Sequence, residues 1–130
     1  MGRRSVWIAL AVLFAFVAGS LADWEIQALR VHRASAELAS EFPHGMPEAS
    51  AKRIVSAQYP RHTEYSAQDC EKWSHLTQPS YVARGGPCIL GIVETGTTWW
   101  GFESAVSFTL IFGPDDHLAG LQVDPVYTFL

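Results

Sequence analysis

The sequence predicts an α+β fold in which helices come first and an antiparallel meander follows, the whole preceded by a membrane or signal helix. Three observations carry this. An uncharged stretch, VWIALAVLFAFVAGSLA, occupies residues 6–22. Two helical stretches follow, divided by the breaker FPHGMP, and the last third of the chain alternates apolar and polar residues with the period of a strand. The chain therefore divides into an apolar segment (1–22), an amphipathic helix (23–42) and a small α+β domain (43–130) with a helix pair packed on three or four antiparallel strands.

Arg3 and Arg4 precede the uncharged stretch, so it partitions into a bilayer with its arginines on the cytoplasmic side, and the rest of the chain is exported. Two fates stay open. Ser20 and Ala22 are the small residues a signal peptidase needs before Asp23, while 17 uncharged residues followed by an interfacial Trp24 also suffice for an anchor. The expected location is periplasmic, either soluble after cleavage or anchored in the inner membrane. A lipid anchor is excluded, because Val17, Ala18 and Gly19 are followed by Ser20, which has no thiol.

Composition limits what the exported part does. With 130 residues, 48% of them hydrophobic but many spent on the apolar segment, there is material for one small two-layer domain. The net charge is −4 and becomes more negative once Arg3 and Arg4 are set aside. Its Lys and Arg are scattered, so the basic footprint that nucleic acid needs is missing.

Residues 23–42 contain neither Gly nor Pro, and Trp24, Ala28, Val31, Ser35, Leu38 and Phe42 fall on one helical stripe. That stripe serves either the chain's own domain or self-association through a coiled-coil seam. Pro43 disfavours helix at Phe42, Gly45 allows a sharp turn, and Pro47 starts a second helix that runs to about Tyr59 and ends at Pro60. Its narrow apolar face, Ala51, Ile54 and Val55, is expected to cover one side of the sheet. Residues 61–86 show no periodicity and read as a long loop or irregular strand region. CILGIV is a short β-branched strand, and Val106, Phe108, Leu110 and Phe112 alternate with Ser107, Thr109 and Ile111 in the next. GPDDH turns the chain into the last strand, where Pro125 requires an edge or a bulge.

On these residues a family resemblance rests. HGMPEASAKRIV is similar to the Gly-Met-x-x-x-x-hydrophobic helix start of the BamE/SmpA-like small envelope domains, and FTLIFGPDDHLAGLQVD resembles their penultimate strand, acidic turn and last strand. Gly45-Met46, a helix, Cys70, Cys88 and a terminal hairpin with Leu118, Gly120 and Gln122 also resemble one repeat of β-lactamase inhibitory protein, which shares that fold. The likeness covers residues 43–130; it departs at Ser20, where the lipidated Cys is missing, and at Pro47, where those families place a Thr or Ser cap. The resemblance implies no catalysis and no cofactor. It implies work by binding another envelope protein, in assembly or as an inhibitor.

Cys70 and Cys88 form an even pair in an exported chain, which favours a disulfide closing a loop of about 18 residues. His62 and His75 lie near them, but no C-x-x-C or H-x-x-x-H spacing marks a zinc site. Ser104 has no G-x-S-x-G elbow, and Asp115, Asp116 and His117 follow Gly113-Pro114 as ordinary turn chemistry. Glu94 and Glu103 flank a turn and could face each other, though such carboxylates are usually solvated surface; a small envelope hydrolase using Ser104 or the acidic turns is the alternative function. The candidate binding residues are Trp99, Trp100 and Phe102. Successive strand residues point to opposite faces, so if this stretch is extended at most one of the two tryptophans can enter the core, and the other packs on a helix, on the long disulfide-closed loop or on a partner.

Overall fold

A computed structural model describes residues 2–76 and 84–129. The elements are α1 (Arg3–Glu41), α2 (Glu48–Gln58), β1 (His62–Tyr65), α3 (Ala67–Leu76), β2 (Cys88–Thr97), β3 (Phe102–Phe112) and β4 (Leu118–Phe129). The four strands form one antiparallel sheet in the order β1-β2-β3-β4. This is the α+β class that the residue patterns predict, with four strands. Pro125 lies in β4, an edge strand of the sheet, where its missing N–H is tolerated.

The apolar segment and the amphipathic helix are one uninterrupted helix of 39 residues, which at 1.5 Å per residue is about 58 Å long. No proline interrupts it, and Gly19 is accommodated without backbone distortion on an exposed stretch. The helix stops at Phe42, whose N–H donates to Leu38 O, because the following Pro43 cannot continue it. Its C-terminal half lies across β2, β3 and β4. This corrects the expectation that the helix starting at Pro47 covers the sheet: α1 is the cover, and α2 adds Ala51 and Val55 to the same core. The cause is length, since a helix of 11 residues cannot span strands of 10 to 12.

The core holds Val31 and Leu38 from α1, and Phe42 just after it, against Ile89, Val106, Phe108, Leu110, Phe112 and Leu118 from the sheet. The predicted apolar face of β3 is fully buried. The stripe on α1 is Trp24, Gln27, Val31, Ala34 and Leu38, with Gln27 and Ala34 at the positions that Ala28 and Ser35 were expected to fill. Ala28 is exposed, and the stripe is used on the chain's own sheet.

Residues 61–86 hold more order than their lack of periodicity suggests. His62–Tyr65 pair in register with residues 88–91 of β2, and Ala67–Leu76 form α3. The start signal of α3 is Ser66 followed three residues later by Asp69, whose N–H donates to Ser66 Oγ at 3.3 Å. A strand of four residues and a helix of ten are too short for a hydrophobic period to show. Residues 77–83 of that stretch lie outside the described residues. The Cys70–Cys88 disulfide joins α3 to the first residue of β2 with Cα atoms 5.9 Å apart. Together with Ile111, Tyr65 and Leu90 it forms a small apolar cluster on the face of the sheet away from α1.

One side-chain bond ties the end of α1 to the end of α2. Tyr59 Oη donates to Glu41 Oε2 at 2.5 Å. Partial burial, then the hydrogen bond and charge of Glu41, push the phenol above its ordinary pKa of 10.0. The folded state thus favours the neutral phenol: its stabilisation is complete below the unfolded pKa and is lost as pH rises through the folded one. Between about pH 9 and pH 11, denaturation midpoints should fall less for Tyr59→Phe than for the natural protein. Equal falls would show that Tyr59 plays no part.

Candidate functional site

The aromatic cluster is built by three elements at one end of the sheet. β2 and β3 are joined by a tight turn at residues 98–101, closed by Thr98, which takes the N–H of Phe102 on Oγ1 (2.8 Å) and gives its own N–H to Phe102 O (2.7 Å). Gly101 has φ +92°, which favours glycine. Because Trp99 and Trp100 lie in the turn and not in a strand, alternation does not send either into the core: they are 66% and 37% exposed. Phe102, the first residue of β3, is 4% exposed and is core. Of the three residues expected to bind, two are accessible and one is structural.

Phe102 sits in a stack of rings. Its centroid lies 5.2 Å from Trp24, 5.6 Å from Tyr127 and 5.4 Å from Trp100, and Trp24 lies 5.4 Å from Tyr127. Trp99 points the other way and meets Phe16 edge to face at 5.4 Å, within the apolar part of α1. Trp24 and Tyr127 are site members that reading the sequence locally misses. Tyr127 is distant in the chain and reaches the site through its pairing opposite Ser104.

Beneath the rings is a buried polar clamp. Ser104 Oγ donates to Gln27 Oε1 at 2.6 Å and accepts from the Thr95 hydroxyl at 2.8 Å. Both Gln27 and Ser104 are buried, at 1% and 0% exposed. Gly96, at the irregularity in β2, leaves room for this contact: a Cβ there would stand 2.8 Å from Gln27 Oε1 and 2.6 Å from Arg30 Nη1. The signal for Gln27 in the sequence was the 24-27-31-34-38 spacing, hidden because Gln is polar. Ser104→Ala would leave the buried Gln27 carbonyl without this donor and should cost about 1–3 kcal/mol, read by denaturation. An unchanged midpoint would mean that the clamp contributes nothing.

The residues that a hydrolase would use are not brought together. Ser104 is closed off by α1 and its proton is held by Gln27. Glu94 stands opposite Ala105 and is salt-bridged to Arg61, while Glu103 stands opposite Thr97, so the two carboxylates do not face each other across the ladder. Asp115, Asp116 and His117 form the β3–β4 turn at the far end of the sheet, where Asp115 O is 2.7 Å from His117 Nδ1 and Asp116 has φ +58°. Among the described residues no three His, Cys, Asp or Glu side chains gather in a way that could hold a metal ion. His62 Nδ1 lies 2.6 Å from Tyr59 O.

The face of the sheet away from α1 is the other accessible surface. Among the described residues, α3 and the disulfide cover it near Cys88 and Ile111. Beyond them runs an open groove of about 450 Å³ whose walls include Arg61, His62, Tyr65, Leu90, Ile92 and Ser107, with Ile92 exposed. Comparison with known protein families, curated proteins and solved structures finds no match for this chain.

Proposed function

We propose that this chain is an extracytoplasmic protein-binding module held at a membrane by its own N-terminal helix, and that its partner is another envelope protein. Kinship with the BamE/SmpA-like and β-lactamase-inhibitor-like domains belongs to the same proposal. The observation that carries it is the uneven cover of the sheet: α1 fills one face, while Ile92 and the groove beside it, walled in part by Leu90, are left open on the other among the described residues. An open groove with an aliphatic floor, an Arg and a Tyr supplies the residue types that anchor protein interfaces.

Retention of the anchor is supported by the same helix that holds the domain. α1 contains a stretch long and apolar enough to cross a membrane. The helix runs through Ala22 and Asp23 without a break, whereas a peptidase needs an extended chain at the bond it cuts. Trp24, immediately beyond, packs against Phe102. The disulfide fits an oxidising compartment.

The test is capture of partner proteins from envelope extracts by the full chain, repeated with Ile92→Glu. The variant should melt as the natural protein does, because Ile92 is exposed, while capture weakens by about 2 kcal/mol, roughly thirtyfold. Undiminished capture by Ile92→Glu would overturn the assignment of the open face.

A further inference from the structure

The two ends of the sheet differ in chemistry along the strand direction. At the end from which the apolar half of α1 emerges, residues 95–102 and residues 125–129 carry no charge, and the rings of Trp24, Trp100 and Tyr127 pack round Phe102 while Trp99 packs on Phe16. At the opposite end stand Asp115, Asp116 and His117, with Glu48 N donating to Asp116 O. Trp99 makes the decisive contact. It touches Phe16, seven residues before Asp23, and is otherwise 66% exposed; along a helix axis seven residues are about 10 Å.

We propose that the turn at residues 98–101 is a second membrane contact, with Trp99, and Trp100 behind it, seated in the boundary between headgroups and acyl chains of the bilayer that residues 6–22 cross. The inference rests on the anchor being retained, and it assigns the exposed tryptophans to lipid, leaving the open sheet face for the protein partner. The geometry leaves little choice. Residues 6–22 rise about 26 Å, somewhat less than the hydrocarbon core of about 30 Å, so the whole stretch is needed to cross and Phe16 lies inside the apolar layer. A ring packed on Phe16 then lies up to about 10 Å below the level of Asp23, within the depth at which amphipathic segments settle. Indole suits that layer, with an apolar body and one N–H that finds headgroup oxygens. Anchored at both the helix and the turn, the domain is fixed in tilt and rotation, and its charged end with Asp115 and Asp116 points away from the membrane. Because the turn carries no charge, its seating should not depend on anionic lipid or on salt.

The full chain is reconstituted in phosphatidylcholine vesicles whose acyl chains are brominated near the headgroup, in a form where Trp99 is the sole indole (Trp7→Phe, Trp24→Phe, Trp73→Phe and Trp100→Phe). Trp99 emission should be lost for the most part relative to unbrominated lipid, and aqueous iodide should quench it little. Strong iodide quenching without a bromine effect would show the ring in water and overturn the proposal. Protection from both quenchers would show it covered by protein, a second copy included, and would overturn it equally. Should the fourfold variant not fold, natural protein is compared with Trp99→Phe alone: the bromine-sensitive emission should shrink in the variant, and no change sinks the assignment. Neither result touches capture through Ile92, so the two proposals fail separately.

Discussion

Replacing Phe108 by Ala should destabilise the domain by roughly 3–5 kcal/mol, with the denaturation midpoint of the full chain in detergent falling accordingly. Phe108 is fully buried at the centre of β3, and three elements close on its ring: Phe42 at the end of α1 (6.2 Å between centroids), Tyr59 at the end of α2 (5.2 Å) and β2 from below. The contact with β2 is of a special kind. Gly91 is the partner of Phe108 across the ladder, and the ring occupies the space where a Cβ on Gly91 would stand. The cavity left by Phe108→Ala cannot close easily, since its walls are a backbone and two rings held by their own helices. Gly91→Val should also be destabilising in the natural protein, and less so when Phe108 is Ala, because the clash is with that ring. Additive losses in the double variant would show that the two positions are not coupled as the packing requires.

Reduction of the Cys70–Cys88 disulfide should lower stability by about 3 kcal/mol, through release of a closed loop of about 18 residues in the unfolded chain. The bond spans a sequence separation of 18 and connects α3, which otherwise touches the sheet chiefly at β1, to the start of β2. Both sulfurs are buried, so in native protein alkylating reagents should find no thiol, and after unfolding in reductant they should find two. Once the bond is cut, α3 and β1 are expected to lose amide-exchange protection before β3 does, since β3 is held from both sides by β2 and β4. Thiols that react freely in the native, unreduced protein would contradict the pairing.

Much of this architecture is legible in the residues themselves. Uncharged residues 6–22 mark a helix long and apolar enough to cross a membrane, because the cost of burying charge is local to each side chain. The alternation of Val106, Phe108, Leu110 and Phe112 fixes which face of β3 is buried, since a strand's period is a property of its backbone. The breaker FPHGMP and the cysteine pair were equally plain: Gly45 has φ +84°, and Cys70 and Cys88 are bonded. Local chemistry, summed along the chain, determined the helix, the strands and the bridge. The short elements β1 and α3 escaped because neither is long enough to display a period.

What the sequence left open are relations between distant segments. That α1 and not α2 covers the sheet follows from comparing a helix of 39 residues with one of 11 against the same strands, which no local pattern expresses. The fate of Trp99 and Trp100 depended on one boundary: in a strand one of them would have turned inward, but β2 ends at Thr97 and the turn puts both outside. Gln27 looked like a solvent residue until folding set Ser104 against it, 77 positions away, where a buried amide oxygen requires a donor. The same packing brought Phe16 under Trp99 and Trp24 against Tyr127, placing the aromatic end of the sheet beside the apolar helix. Sequence determined which residues are apolar, aromatic or charged; only the tertiary structure decided that the aromatic ones gather at the end from which the apolar half of α1 leaves, because that is a fact of strand register and helix direction.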